Sequence, residues 1–307
     1  MKALITGSSG FVGTTFCEYF HKKFEIVGID WKPPKERFPN VKYYEVDILN
    51  LEQLKNVFYK ECPDRVVHLA AQARVNASLV NPIGTFRINV AGAINMLEMA
   101  KLMNLDQFIY VSSEVIYGKA ESYPCLEIQS FNPDSPYAAS KVAADVITQN
   151  AKGVNWVVAR PGMGFGPRSN PNEQVVAKFL WNVLHDKPLR FPAENVQHPT
   201  RDINYIGNFM DGLELLINLN AKFQVYNLGS GRETNILELA EKVLEVTGKG
   251  EIVFDENFHY RKGEEGMRTY LDISKARTEL GYEPRVGLEE GLKITYSWLQ
   301  QHLDYWD

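Results

Sequence analysis

The stretch Lys2 to Gly13, KALITGSSGFVG, constrains the chain more than any other. Lys2 to Thr6 is a short apolar run of the kind that makes a buried strand, and an amphipathic helical pattern follows from about Val12 to His21. Between them Gly7, Gly10 and Gly13 mark a tight turn that opens a helix. A helix N-terminus presents unpaired N–H groups and a positive partial charge, and glycine lets the backbone approach an anion such as a pyrophosphate. The spacing is Gly-x-x-Gly-x-x-Gly rather than Gly-x-Gly-x-x-Gly. A glycine cluster by itself is also ordinary turn punctuation, so the rest of the chain has to decide.

The rest of the chain alternates strand and helix. Phe24 to Asp30 reads as a second strand ending in an acid, about twenty residues past the glycine turn, where a dinucleotide fold hydrogen-bonds the adenosine ribose. A carboxylate there repels a 2′-phosphate, so Asp30 favours NAD over NADP. Val41 to Val46 is a third strand, followed by Asp47 and Ile48 where an adenine contact would form. Leu51 to Lys60 is helical, Arg65 to Ala71 a fourth strand, Gly84 to Met103 a helix and Phe108 to Ser112 a fifth strand. Asn155 to Arg160 and Gln224 to Asn227 supply a sixth and a seventh, and Ile236 to Val246 a further helix. Regular alternation implies right-handed crossovers and a doubly wound parallel α/β sheet, covered on both faces, with ligands beyond the carboxyl ends of its strands. His68 lies within an apolar strand and is assigned no chemistry.

Composition narrows the partners. A net charge of −5, spread along 307 residues, gives no electrostatic case for nucleic acid or an anionic membrane, so an anionic ligand must be held by local groups. Cys17, Cys62 and Cys125 are far apart, without metal-ligand spacing, and their odd number in a chain without a signal peptide points to reduced thiols in a cytoplasm. No apolar run approaches the roughly 18 residues of a membrane span.

Two stretches carry chemistry. Ser112-Ser113-Glu114 sits at the end of the fifth strand, with Tyr117-Gly118 just beyond. In NPDSPYAASK, Ser135 can cap a helix beginning at Pro136, and Tyr137 and Lys141 then share one face of its first turns. A phenol of ordinary pKa about 10 is a poor base near neutrality. A nearby ammonium and the positive ring of an oxidised nicotinamide both stabilise the phenolate, and a serine hydroxyl can bond the same substrate oxygen.

With GSSGFVG, HLAAQ, VSSEVIYG, YAASK and RKGEEG…LDISKARTELGYEP in this order, the chain resembles the extended short-chain dehydrogenase/reductase family, specifically its nucleotide-sugar epimerases and dehydratases, over nearly its whole length. The resemblance implies a Rossmann-type sheet of about seven strands binding NAD, with a smaller C-terminal domain closing over a nucleotide sugar. It puts the units at 1–162 with 203–228 and at 163–202 with 229–307. It implies catalytic roles for Ser113, Tyr137 and Lys141, with Glu114 a further candidate. It implies cofactor contacts from Gly7, Gly10, Phe11, Val12, Gly13, Asp30, Asp47, Ile48, Leu69, Ala70, Ala71, Tyr137 and Lys141. Arg201, Arg261 and Glu264 match residues that hold the nucleotide, and no metal is implied. The resemblance also implies a homodimer, with Gly84 to Met103 and Pro136 to Asn150 forming a four-helix bundle. The chain departs from the family in RPGMGFGPR, where Met163 replaces a usual asparagine and cannot donate a hydrogen bond.

Within the family the shared step is oxidation of a sugar carbon, usually C4, with Tyr137 taking the hydroxyl proton. A 4,6-dehydratase adds an Asp-Glu pair, which here reads Glu114-Val115: the acid is kept in kind and the base is missing. A C4 epimerase needs neither, only a pocket in which the keto sugar can turn, and the glycines of 162–166 are compatible with room. The expected function is therefore an NAD-dependent C4 epimerase, with a dehydratase using Glu114 as the alternative. A non-catalytic NAD-binding regulator is disfavoured because Tyr137 and Lys141 are both kept.

Overall fold

The computed structural model describes residues 1–193, 196–219, 222–261 and 263–306, so Lys262 of the late RKGEEG motif and the terminal residue 307 lie outside the described residues. The strands β1 (Lys2–Thr6), β2 (Glu25–Asp30), β3 (Val41–Glu45), β4 (Arg65–His68), β5 (Gln107–Val111), β6 (Trp156–Pro161) and β7 (Gln224–Leu228) form one sheet in the order 7-6-5-4-1-2-3. Every pairing in it is parallel. The helices that matter below are α1 (Phe11–Phe20), α2 (Leu51–Glu61), α3 (Gly92–Leu102), α4 (Pro136–Gln149) and α5 (Ile206–Asn218).

Side chains alternate across each strand, which splits the core into two layers. Ala3, Ile5, Val67, Ile109 and Val157 pack with Phe16 and Phe20 of α1 and Phe209 and Leu213 of α5. Leu4, Val66, Phe108 and Tyr110 pack on the other face with Leu54 and Phe58 of α2, Met96 of α3 and Ala144 of α4. The doubly wound expectation is met.

Two element boundaries differ from the sequence reading by more than a residue. The fourth strand ends at His68, not Ala71, because its neighbour β1 stops at Thr6 and Gly7 turns away with φ +74°. Residues 69–72 are held by side chains instead: Ala70 N–H donates to Thr6 Oγ1 (3.1 Å) and Gln72 N–H to Asn89 Oδ1 (2.7 Å). The stretch read as one helix from Gly84 to Met103 is a helix at Pro82–Phe86, a π-helical turn at Arg87–Ala91 and α3, preceded by a further short helix at Val75–Val80 that the sequence pattern does not announce. The π turn inserts one residue into the helical repeat and turns Asn89 inward, where it is buried.

The chain beyond β6 adds short paired segments. Met163–Phe165 runs parallel to Ile203–Tyr205, Thr200–Arg201 antiparallel to Thr234–Asn235, and Leu189–Phe191 parallel to Ile252–Phe254. Of the glycines of 162–166, two serve close packing: a Cβ on Gly162 would stand 2.7 Å from Asp202 Oδ1 and one on Gly166 2.4 Å from Ile206 Cγ2, whereas one on Gly164 would meet nothing nearer than 3.8 Å. Among the described residues no helix is long and apolar enough to cross a membrane, and no group of His, Cys, Asp and Glu side chains could hold a metal ion.

Candidate active site

The glycine turn is built for backbone contact. Gly10 is the N-cap of α1 and no side chain caps the helix, so its first N–H groups are left for a ligand or solvent. A Cβ on Gly13 would stand 2.1 Å from the Gly7 carbonyl oxygen, which leaves no side chain possible without moving the turn. Phe11 and Val12 occupy the first turn of α1 and pack partly against the core. Asp30 ends β2 beside this turn, buried, with Ser9 N–H donating to Oδ2 (2.9 Å) and Lys32 N–H to Oδ1 (3.3 Å). Burial pushes its pKa up against the pull of those N–H groups. Ile48 is buried under Gly92, while Asp47 is exposed and accepts a hydrogen bond from Leu49 N–H (2.9 Å). Leu69, Ala70 and Ala71 form the partly buried loop after β4, facing Gly7, where an added Cβ would be 2.9 Å from Ala70 N.

At the end of β5 the chain leaves the sheet in a short 3-10 turn, Glu114–Ile116, which Ser113 caps by accepting from Val115 N–H (3.4 Å). Burial, with Glu114 acting the same way, pushes the Tyr137 phenol up to about 12 against the opposing effect of the neighbouring Ser113 hydroxyl. Ser135 caps α4 by accepting from Ala138 N–H (3.2 Å), with Pro136 in the first helical position, as the sequence indicates. Lys141 is buried one turn after Tyr137, donates to the Val111 carbonyl (2.7 Å) and stands 4.4 Å from the centre of the Tyr110 ring. Burial pulls its pKa down to about 7, and the carboxylate of Asp145 acts the other way. His68 is buried with Nδ1 2.6 Å from Thr6 Oγ1 and its pKa down to about 3, so it stays neutral and structural.

Glu114 is 4% exposed, and its Oε2 has no partner among the described residues. Burial raises its pKa well above the carboxylate range and Asp202 raises it further, against the opposing effect of Arg201. The Asp202 carboxylate is occupied by three backbone N–H groups, from Ser230 (2.6 Å), Gly231 (3.3 Å) and Leu271 (3.1 Å). Beside it, Arg201 donates to Glu264 Oε1 (3.1 Å) and to the carbonyl of Thr200 (2.9 Å). Arg261 is joined to Glu264 through the backbone, its carbonyl accepting from Glu264 N–H (2.9 Å). The fold thus brings Arg201 and Glu264 into contact, with Arg261 on the same loop.

Sequence reading missed three groups here. Asn89 donates to the Gln72 carbonyl (3.1 Å) and to Ser140 Oγ (2.8 Å), linking the loop after β4 to the helix that carries Tyr137. Asp202 is the second. The third is Asp145, buried one turn past Lys141 and paired with Arg160 of β6 through two bonds of 3.0 Å. A period of four from Tyr137 through Lys141 runs straight to Asp145 and was the available signal.

A family-wide sequence model described as GDP-mannose 4,6 dehydratase matches residues 4–295. The chain is 30% identical to a UDP-glucuronate 4-epimerase of Thermodesulfobacterium geofontis, covering 98% of this chain and 97% of that one. It is 29% identical to a dTDP-glucose 4,6-dehydratase of Streptomyces antibioticus, covering 100% and 95% respectively. Among solved structures it resembles the UDP-glucose 4-epimerase of Thermus thermophilus in complex with NAD, with a TM-score of 0.87 and 30% identity over 98% of this chain and 99% of that one.

Proposed function

The chain belongs to the GDP-mannose 4,6-dehydratase family, the NAD-dependent nucleotide-sugar epimerases and dehydratases, and from that premise we propose that it is a nucleotide-sugar C4 epimerase. One observation carries the choice. Elimination of water needs an acid and a base, and among the described residues next to Tyr137 only Glu114 is disposed as an acid. The nearby carboxylate of Asp202 is tied to three backbone donors, and position 115 is a valine. Oxidation and reduction at C4 need no second carboxylate.

The residues fit NAD. The uncapped start of α1 and the glycine turn suit its pyrophosphate, and the buried Asp30 beside them suits an unphosphorylated ribose. NAD supplies a carrier that takes a hydride from the sugar and returns it. In this reading Tyr137 takes the proton of the C4 hydroxyl and later gives it back, and Ser113 holds the same oxygen. Lys141, charged, stabilises the phenolate. Asp47, Ile48, Leu69, Ala70 and Ala71 line the adenosine side, and Arg201, Arg261 and Glu264 hold the nucleotide diphosphate and ribose. Residues 1–162 and 203–228 make the NAD unit, and 163–202 with 229–307 the sugar unit.

The test is a panel of UDP-, GDP-, dTDP- and CDP-hexoses with catalytic NAD or NADP, read by NMR and mass. The expected result is a product of unchanged mass with an inverted C4 coupling, formed with NAD in preference to NADP, and Glu114→Gln should keep most of that turnover. The dehydratase reading has its own support in the raised pKa of Glu114, which keeps a carboxyl protonated for a leaving hydroxyl. Loss of water by the wild type, with NADH accumulating in Glu114→Gln, would replace the epimerase by that alternative.

We also propose a homodimer. Val80 (87% exposed) and Ile83 (82%) stand out with Leu79, Phe86, Ile94 and Val146 as apolar side chains exposed on the helices before and including α3 and on α4. Exposed apolar side chains on neighbouring helices suit a two-fold interface with a second copy. Light scattering at micromolar concentration should give twice the chain mass, and Ile83→Glu should halve it; a monomeric wild type would refute the assembly.

A further inference from the structure

Tyr137, Lys141 and Asp145 follow one another at single turns of α4, and all three are buried. Lys141 therefore keeps an ammonium away from water with one backbone carbonyl, Val111, as its hydrogen-bond acceptor and the face of Tyr110 beside it. A buried ammonium tends to lose its proton unless an anion stays close. Asp145 is an anion that cannot move: Arg160 Nε donates to its Oδ2 and Nη2 to its Oδ1, both at 3.0 Å, and Gln149 Nε2 donates to Oδ1 at 2.6 Å. Arg160 reaches it from β6 and turns its other amino group away, to Tyr117 Oη (2.9 Å) and the Glu127 carbonyl (2.8 Å). The other groups facing Lys141 do not supply a negative charge. Tyr137 on α4 and Tyr110 on β5 are phenols, and His68 on β4 is a neutral imidazole.

We propose that Asp145 is a positioning residue for the proposed reaction: clamped on Arg160, it is the fixed anion that keeps the Lys141 ammonium charged beneath Tyr137. The inference rests on the role given to Lys141 above. Burial already brings Lys141 to about 7, so removing the anion moves its loss of charge to lower pH. Activity that requires charged Lys141 then fails from the alkaline side at a pH where the wild type still works. Residues four apart on a helix have Cβ atoms about 5–6 Å apart, and an opposite charge within about 4–6 Å is worth about one unit or more.

Two readouts test this. The first is the pH profile of single-turnover oxidation, followed as NADH absorbance; the second is the Lys141 titration midpoint, read by NMR of lysine labelled with 13C at Cε and assigned with Lys141→Arg. The variants are Asp145→Asn, Asp145→Glu and the double change Asp145→Leu with Arg160→Met, which removes the charge without stranding the guanidinium. The expected result is a midpoint and an alkaline limb about one unit lower in Asp145→Asn, lowered by less in the double variant, which removes the Arg160 charge as well, and restored by Asp145→Glu. If Asp145→Asn does not fold, the double variant decides. A midpoint that stays at the wild-type value in a folded variant lacking the carboxylate overturns the proposal. A midpoint that moves in a protein that oxidises no nucleotide sugar supports it and refutes the epimerase reading alone.

Discussion

Tyr137→Phe should lower turnover roughly a hundred- to ten-thousand-fold, the range that loss of a general base or acid costs. The substitution removes one oxygen from a buried ring held on the first turn of a capped helix, so neither packing nor the cap changes. What is lost is the group that takes the C4 proton, and Ser113 loses its partner on that side. The measurement is single-turnover oxidation of the sugar found active in the panel, with NAD affinity and thermal melting as controls. Turnover within a few-fold of the wild type, with both controls unchanged, would remove Tyr137 from the chemistry.

Arg160→Met should destabilise the fold by about 3–5 kcal/mol, the cost of leaving one partner of a buried ion pair alone. Arg160 is 1% exposed and Asp145 0%, so water cannot take over the bonds. The change strands the carboxylate, and Tyr117 and the Glu127 carbonyl each lose a donor. For a chain of this length the melting temperature should fall by roughly 5–10 °C. Adding Asp145→Leu should recover most of that loss, because two apolar side chains in place of a buried pair leave no charge without a partner. A single-variant loss below about 1 kcal/mol would mean that the pair is already relaxed by solvent.

The parts of this molecule that are local were legible in the sequence. Gly7, Gly10 and Gly13, the Ser135 cap and the spacing of Tyr137 and Lys141 are short-range patterns with one geometric solution, and the seven strands follow from apolar runs bounded by turns. What was not legible depends on contacts between distant segments. The π turn at Arg87–Ala91 follows from Asn89 reaching Gln72 and Ser140, and nothing in RINVA announces it. Gly162 and Gly166 read as open space because a sequence does not show that Asp202 and Ile206 lie against them. Asp202 itself reads as one more acid beside an arginine until three backbone donors from two later loops converge on it.

The strand order also fixes the sequence in which the sheet can be assembled. β2 pairs with β1 and β3 with β2, so the first 45 residues extend the sheet in one direction. β4 then returns to the free side of β1, and β5, β6 and β7 each pair with the strand made just before them. A chain emerging from the ribosome therefore always has its next strand's partner already made, and the growing edge changes sides only once, between β3 and β4. The glycine turn after β1 and the loop after β4 meet at that change of side, so the cleft is defined by the time about a quarter of the chain exists, long before the helix carrying Tyr137 and Lys141 arrives to close it.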